Sequence, residues 1–172
     1  CEIIRVLQRN NFEAYVVGGC VRDLLLDLNP KDFDIATNAT PQQVKRLFRR
    51  SRIIGRRFQI VHVQFGRELI EVTTFRSNNT NQNGKVQQSA SGVLTRDNMF
   101  GSLLDDASRR DLSINALYYD TEKNTLHDFC DGLEDLAKRK IRIIGNPATR
   151  YSEDPARLLR AVRFAAKLGF HI

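Results

Sequence analysis

Cysteine is scarce in this chain. Cys1, Cys20 and Cys130 are the only three among 172 residues, and they are scattered without the spacing of a zinc site. An odd count with no secretory signal favours reduced thiols in a cytoplasm over a disulfide framework. Long apolar runs are missing too. None could cross a bilayer, and the N-terminal residues do not read as a signal peptide, so a helical membrane span is excluded. No internal repeat is visible. The stretch Ser77–Thr95 has almost no large apolar side chains and is rich in Ser, Asn, Gln and Gly. It cannot bury enough surface to offset the entropy of ordering, and it reads as a mobile loop, either a substrate gate or an idle insertion.

What is present suffices for one good core, with a small second module at most: apolar residues make up 41% of the chain. The net charge of +7 suits a polyanionic partner. Arg46, Arg49, Arg50, Arg52, Arg56 and Arg57 form one basic cluster, and Arg150, Arg157, Arg160, Arg163 and Lys167 another. Each serves equally as a solvated face or as a nucleic-acid contact. Arg49, Arg50 and Arg52 are the candidate RNA-binding residues. The chain opens at Cys1 without an initiator methionine and stops after an arginine-rich segment, and it reads as a catalytic piece of a longer protein.

The densest chemical signal is Tyr15–Thr37. Tyr15–Val17 reads as a short buried strand punctuated by Gly18-Gly19. Val21, Leu24, Leu25 and Leu28 then recur at the spacing of one helical face, ended by Pro30. Asp32-Phe33-Asp34-Ile35 alternates as a half-buried strand does, so the two aspartates project from one face. Adjacent carboxylates repel unless a cation sits between them, and hard oxygen ligands suit Mg²⁺. Glycine pairs also make ordinary turns, and an Asp-x-Asp is also an ordinary solvated strand face. Together with Arg22 and a helix start, however, they suit a bound triphosphate.

Elsewhere in the chain, Cys1–Arg9 reads as a helix that packs Ile3, Ile4 and Leu7. Thr40-Pro41-Gln42-Gln43 is a helix start with a capping box, and Val44, Leu47 and Phe48 form the buried face of that helix. Ile60–Phe65 and Glu68–Thr74 alternate around Gly66-Arg67 as a hairpin. Glu71 points opposite Ile70 and Val72. It is an exposed strand glutamate or, if its strand neighbours Asp32–Ala36, the third carboxylate of a metal site. Ser102–Arg110 reads as a short helix, Ala116–Tyr119 with Leu126–Phe129 as a hairpin, and Ile141–Ile144 as a short strand. Asp154 is placed as the N-cap of a last helix ending at Gly169, with Leu158, Leu159, Val162, Ala165, Ala166 and Leu168 as its buried face.

Several ordered motifs here resemble the class II template-independent nucleotidyltransferases of the DNA polymerase beta superfamily, the group of CCA-adding tRNA nucleotidyltransferases and bacterial poly(A) polymerases. Gly18-Gly19-Cys20-Val21-Arg22-Asp23 followed by Asp32-Phe33-Asp34 resembles the opening motif. Glu71 to Arg76 matches the segment holding the third carboxylate. Arg109-Arg110-Asp111 with Ile114-Asn115-Ala116 looks like the second motif, and Glu153 to Ala161 like the nucleotide-base motif. Ile53–Val63 is similar to the signature of the bacterial poly(A) polymerases, whereas CCA-adding relatives tend to carry a Gly-Thr stretch there.

The resemblance implies an α+β fold: a polymerase-beta-like nucleotidyltransferase head with a mixed sheet flanked by helices over residues 1–145, then the start of a helical neck over 146–172. It implies AMP transfer from ATP to an RNA 3′ end with release of pyrophosphate, or alternatively CCA addition. Asp32, Asp34 and Glu71 would hold two Mg²⁺ ions as catalytic ligands. Gly18, Gly19, Arg22, Arg110, Asp111 and Asn115 would bind the nucleotide, with Asp111 at a ribose hydroxyl and Arg110 nearer the phosphates. Asp154 and Arg157 would read the base, oriented by Glu153. A structural ion pair at Arg109–Asp111 and a plain helix cap at Asp154 are the competing readings of those residues. A non-catalytic RNA-binding module is one competing reading of the whole chain. A pseudoenzyme is the other, and retention of all three carboxylates argues against a pseudoenzyme.

Overall fold

The computed structural model describes residues 2–56, 58–77, 87–88, 94–96 and 100–172. In chain order the elements are α1 (Glu2–Arg9), β1 (Ala14–Val17), α2 (Gly19–Leu25), β2 (Asp34–Thr37), α3 (Pro41–Leu47), β3 (Ser51–Ile54), β4 (Ile60–Phe65) and β5 (Glu68–Thr74). There follow β6 (Gln87–Gln88), β7 (Leu94–Arg96), α4 (Leu103–Arg109), a 3-10 turn at Ser113–Asn115, β8 (Leu117–Asp120), β9 (Thr125–Asp128), α5 (Gly132–Ala137), α6 (Pro147–Glu153) and α7 (Ala156–Leu168). Seven strands form one sheet in the order β3-β4-β5-β2-β1-β8-β9. All pairings in it are antiparallel except β2 with β5, which is parallel, so the sheet is mixed as expected.

Strand alternation splits the core. Val16, Ile35, Val61, Val63, Val72 and Leu117 turn to the side covered by Ile3, Ile4 and Leu7 of α1 and Val44 of α3. Tyr15, Val17, Ala36 and Tyr118 turn to the other side, against Phe75 and Ala107 of α4. Four consecutive buried residues in β1 mark it as a central strand covered on both faces. Among the described residues the second face is covered over β1, β8 and Ala36 of β2. Towards β5 and β4 it carries Asp34, Glu71 and His62, none of them fully buried. The candidate site lies there.

The capping box of α3 forms as expected: Thr40 Oγ1 accepts from the Gln43 amide at 3.3 Å, and Gln43 Oε1 accepts from the Thr40 amide at 2.8 Å. The β4–β5 hairpin, the β8–β9 hairpin, α1 and α4 fall where the sequence places them within a residue or two. The loop expected over Ser77–Thr95 falls mostly outside the described residues, as do Cys1 and Arg57.

Four expectations need correction. Leu24, Leu25 and Leu28 are exposed, and α2 buries Cys20, Val21 and Arg22 instead. The helix turns its arginine inward because a charged network is waiting there. The strand begun at Asp32 starts only at Asp34. Ile141–Ile144 forms no strand, only an isolated bridge from Leu112 to Ile143. On α7, Leu158, Leu159 and Val162 are exposed and Ala161 alone is buried, while Asp154 is the C-cap of α6 and Pro155 the N-cap of α7. Helix α5 was not foreseen.

Gly55 ends β3 with φ +89°, and a Cβ there would stand 2.1 Å from the Phe58 carbonyl oxygen. Gly55→Ala is therefore expected to destabilise the protein by about 1–3 kcal/mol, the scale of a forced backbone outlier. Denaturant unfolding reads this, and an unchanged midpoint would show that the turn relaxes freely.

Candidate active site

Two carboxylates are aligned by strand register. In the parallel pair β2–β5, Asp34 stands opposite Glu71. Asp32 precedes β2 by two residues and joins them, with Phe33 and Leu69, in lining a cavity of about 370 Å³. Burial raises the Asp34 pKa, and the Glu71 charge adds to this; Arg110 opposes the shift and Asp32 reinforces it. An ionised Asp34 is therefore uncomfortable without a counter-cation. That is the observation by which a divalent metal fits these residues. Among the described residues no three acidic, imidazole or thiolate groups stand closed around one point. The trio is open, as suits a hard cation that keeps water and takes oxygens from phosphates.

Glu71 is also approached from the next strand. His62 is its register partner on β4, with Nε2 3.3 Å from Glu71 Oε1. The contact is within ion-pair reach, yet Nε2 is buried and without a hydrogen-bond partner.

Asp32 and Asp34 also line a larger cavity of about 820 Å³, whose wall includes Gly18, Gly19, Arg22, Arg110, Asp111 and Asn115. Sequence reasoning named all of them, and the fold brings them together. Gly18 has φ +84°, and a Cβ there would lie 3.9 Å from Asp34 Oδ2 and 3.8 Å from Arg110 Nη1. The glycine thus keeps the backbone open where both groups converge.

Arg22 and Arg110 of this cavity are held rather than free. Arg22 is 2% exposed. It donates to Asp23 Oδ1 at 2.8 and 2.6 Å and to Asn115 Oδ1 at 2.6 Å, with its guanidinium 4.8 Å from the Phe164 ring centroid. Asn115 thereby acts on Arg22, a link that sequence spacing alone cannot reveal. Arg110 donates to the Tyr118 hydroxyl at 2.7 Å and pairs with Asp106 Oδ2 at 3.1 Å. Burial works against the Arg110 charge, but Tyr118 and Asp106 outweigh it and hold its pKa up. Burial likewise pushes against ionised Asp106, yet Arg110, Arg109, the Tyr118 hydroxyl and the Arg76 amide together lower its pKa. Asp111 accepts from the Leu112 amide at 2.8 Å and pairs with Arg160 of α7.

The remaining candidates stand apart. Arg157 donates to Glu153 Oε2 at 3.0 Å and to the Arg150 carbonyl at 3.2 Å, with its Nε 3.9 Å from Asp154 Oδ2. Arg150 joins the same Glu153 oxygen at 3.0 Å and donates to the carbonyls of Arg109 and Arg110. Burial and neighbouring Arg157 lower the Arg150 pKa, opposed by Glu153. Glu153 therefore does orient Arg157, and Arg150 ties this cluster to the end of α4. Asp154 and Arg157 do not line the 820 Å³ cavity; Arg160, Arg163, Phe164 and Lys167 from later on α7 do. Arg49, Arg50 and Arg52 line a third cavity, of about 600 Å³, beside β3 and β4.

Sequence reasoning missed Asp106, Tyr118 and Phe164. The signal for Asp106 was available: it lies three and four residues before Arg109 and Arg110, the spacing of helical ion pairs. Tyr118 and Phe164 carried no comparable signal, since both read as ordinary apolar positions.

The description "Poly A polymerase head domain" matches residues 14–142. The chain is 53% identical to poly(A) polymerase I of Haemophilus influenzae, over 99% of its own length and 38% of that protein's. It is 41% identical to the CCA-adding enzyme of Enterococcus faecalis, over 99% of this chain and 40% of the relative. Its fold is similar to that of the Bacillus stearothermophilus CCA-adding enzyme crystallised with CTP, with a TM-score of 0.84 and 36% identity over 99% of this chain and 39% of that one. The chain thus spans about two fifths of the length of these proteins.

Proposed function

The chain belongs to the poly(A) polymerase head-domain family, and from that membership we propose that it is the catalytic head of a polynucleotide adenylyltransferase. It would transfer AMP from ATP to the 3′-hydroxyl of RNA and release pyrophosphate. Residues 1–145 would be the head and 146–172 the start of a helical neck. The observation that carries this reading is the register of Asp34 against Glu71, with Asp32 beside them, at the border of a cavity walled by arginines.

Asp32, Asp34 and Glu71 would hold two Mg²⁺ ions, which when bound supply charge neutralisation for the attacking hydroxyl and the departing pyrophosphate. The chain's own residues do the positioning on which phosphoryl transfer depends. Gly18 and Gly19 admit the phosphates close to the backbone, and Arg22 and Arg110, held by Asp23 and Asp106, face them with fixed charge. Asp111 accepts a ribose hydroxyl in exchange for its Arg160 partner, and Asn115 keeps Arg22 in place. Asp154 and Arg157, at the α6–α7 junction beside the 820 Å³ cavity's lining from later on α7, would present an acceptor and a donor to the base edge. Arg49, Arg50 and Arg52 take RNA. The free thiols Cys20 and Cys130 and the nucleotide substrate fit work in the cytoplasm.

Identity to poly(A) polymerase I exceeds that to the CCA-adding enzyme, 53% against 41%, which favours AMP addition. CCA addition stays the second reading, favoured by the fold similarity to a CCA-adding enzyme. The experiment compares ATP and CTP incorporation by the whole protein on a general RNA and on a tRNA lacking its 3′ end. AMP added to both acceptors supports the proposal; CCA added to the tRNA alone overturns it. In the same assay Arg157→Ala is expected to reduce the preference in kcat/KM for ATP over CTP by about 1–3 kcal/mol, the scale of one charged hydrogen bond.

A further inference from the structure

The 600 Å³ cavity beside β3 and β4 is unlike the triphosphate cavity in one respect. Its arginines are uncommitted. Among the described residues, Arg49, Arg50 and Arg52 form no ion pair, whereas Arg22 and Arg110 both do. A solvated arginine with no internal partner is poised for an external anion, and three around one cavity make a local field for phosphate.

The cavity also connects directly to the carboxylates. Arg52 on β3 is the register partner of His62 on β4, His62 of Glu71 on β5, and Glu71 of Asp34 on β2. Cross-strand partners project from the same face, so these four side chains form one row, basic at one end and acidic at the other. Three strand steps of about 4.8 Å put the Arg52 backbone about 14–15 Å from that of Asp34. An arginine side chain shortens that gap to the span of one or two nucleotides. Leu69 lines both this cavity and the acidic one, and is exposed between them. An apolar side chain at that point offers a surface for a base while the backbone phosphates follow the arginines.

Asp32 and Asp34 line both the triphosphate cavity and the acidic cavity. We propose that the Arg49–Arg50–Arg52–His62 cavity seats the 3′-terminal phosphodiester linkages of the acceptor RNA strand. The acceptor and the nucleoside triphosphate then reach the carboxylates from separate cavities, so that neither occupies the other's place. His62 completes the row: its Nε2 lies 3.3 Å from Glu71 Oε1 and has no hydrogen-bond partner among the described residues, and its side chain lines the cavity beside the arginines. This inference rests on the nucleotidyltransferase reading and deepens the RNA assignment of the arginines into a position, a polarity and a named linkage.

The test is equilibrium binding by the whole protein, read without turnover. Short RNA acceptors carry a single uncharged methylphosphonate linkage, walked back from the 3′ end, and ATP binding is measured in parallel. Wild type is expected to lose about tenfold in affinity when one of the last two or three linkages is neutral. Arg50→Gln/Arg52→Gln is expected to bind the normal acceptor about tenfold more weakly, to show no further loss with that neutral linkage, and to bind ATP as wild type does. Thermal unfolding of the variant should match wild type, since both side chains are on the surface. Retention of the full neutral-linkage penalty in the variant, or a loss of ATP affinity instead, overturns the assignment. Turnover is scored separately, so a protein that binds in this pattern without transferring AMP would retain the seat and lose only the proposed reaction.

Discussion

Asp34→Asn is expected to lower kcat for AMP transfer by about three orders of magnitude while making the metal-free protein more stable. The first effect follows from position. Asp34 is shared by the acidic cavity and the triphosphate cavity, and it is the carboxylate whose charge the site least tolerates without a counter-ion. Loss of a preorganised electrostatic group of this kind costs about 10²–10³ in rate, and a metal ligand at least as much. The second effect has a definite sign. Burial and Glu71 raise the folded pKa of Asp34 above its unfolded value. The resulting stability is fully present below the unfolded value and is lost as pH rises through the folded one, so at neutral pH the ionised group destabilises the fold. Asparagine removes that penalty, and its advantage should vanish in acid. Added Mg²⁺ should raise the thermal midpoint of wild type and leave the variant unmoved. A variant with near-normal turnover, or one still stabilised by Mg²⁺ as wild type is, would contradict the ligand assignment.

Asp106→Ala is expected to destabilise the protein by about 3–5 kcal/mol, the scale of stranding a buried charge by deleting its partner. Asp106 is 1% exposed and accepts from Arg76, Arg109, Arg110 and Tyr118 at once. Without it the Arg110 cation keeps, among the described residues, a hydroxyl and a carbonyl as its hydrogen-bond partners. Where the variant remains folded, KM for ATP should rise, because Arg110 is no longer aimed at the cavity. The pH dependence runs opposite to that of Asp34. The folded pKa of Asp106 is lowered, so its contribution is present above the unfolded value and lost as pH falls through the folded one. Unfolding of wild type and Asp106→Asn between pH 3 and pH 7 should therefore converge in acid. A constant difference across that range would show that Asp106 contributes by packing alone.

The arrangement of the candidate site was largely legible in the sequence because local rules set it. Alternation around Gly66-Arg67 defined the hairpin and placed Glu71 on the open face, and only the strand adjacency that aligns it with Asp34 had to be supplied by the fold. The capping box at Thr40 needs four residues and no tertiary partner, and it formed as written. What failed were judgements about which helix faces are covered. Periodicity puts Leu24, Leu25 and Leu28 on one side of α2, and Leu158, Leu159 and Val162 within a broad face of α7, but it cannot say whether anything packs against them. Arg22 went inward on α2 because Asp23, Asn115 and Phe164, up to 142 residues away in sequence, converge to receive it. The same blindness hid Tyr118, whose hydroxyl matters only because α4 lays Asp106 and Arg110 across β8.

The central claim is that the carboxylate trio performs metal-dependent AMP transfer. Its most direct test is incorporation of α-labelled ATP onto an RNA 3′ end by the whole protein, with pyrophosphate measured alongside, in Mg²⁺ and in excess chelator. The account predicts one pyrophosphate released per AMP added, arrest by the chelator, restoration by Mg²⁺, and incorporation by Asp34→Asn about three orders of magnitude slower than wild type in Mg²⁺. Incorporation that persists in chelator, or that Asp34→Asn carries out at the wild-type rate, would contradict it.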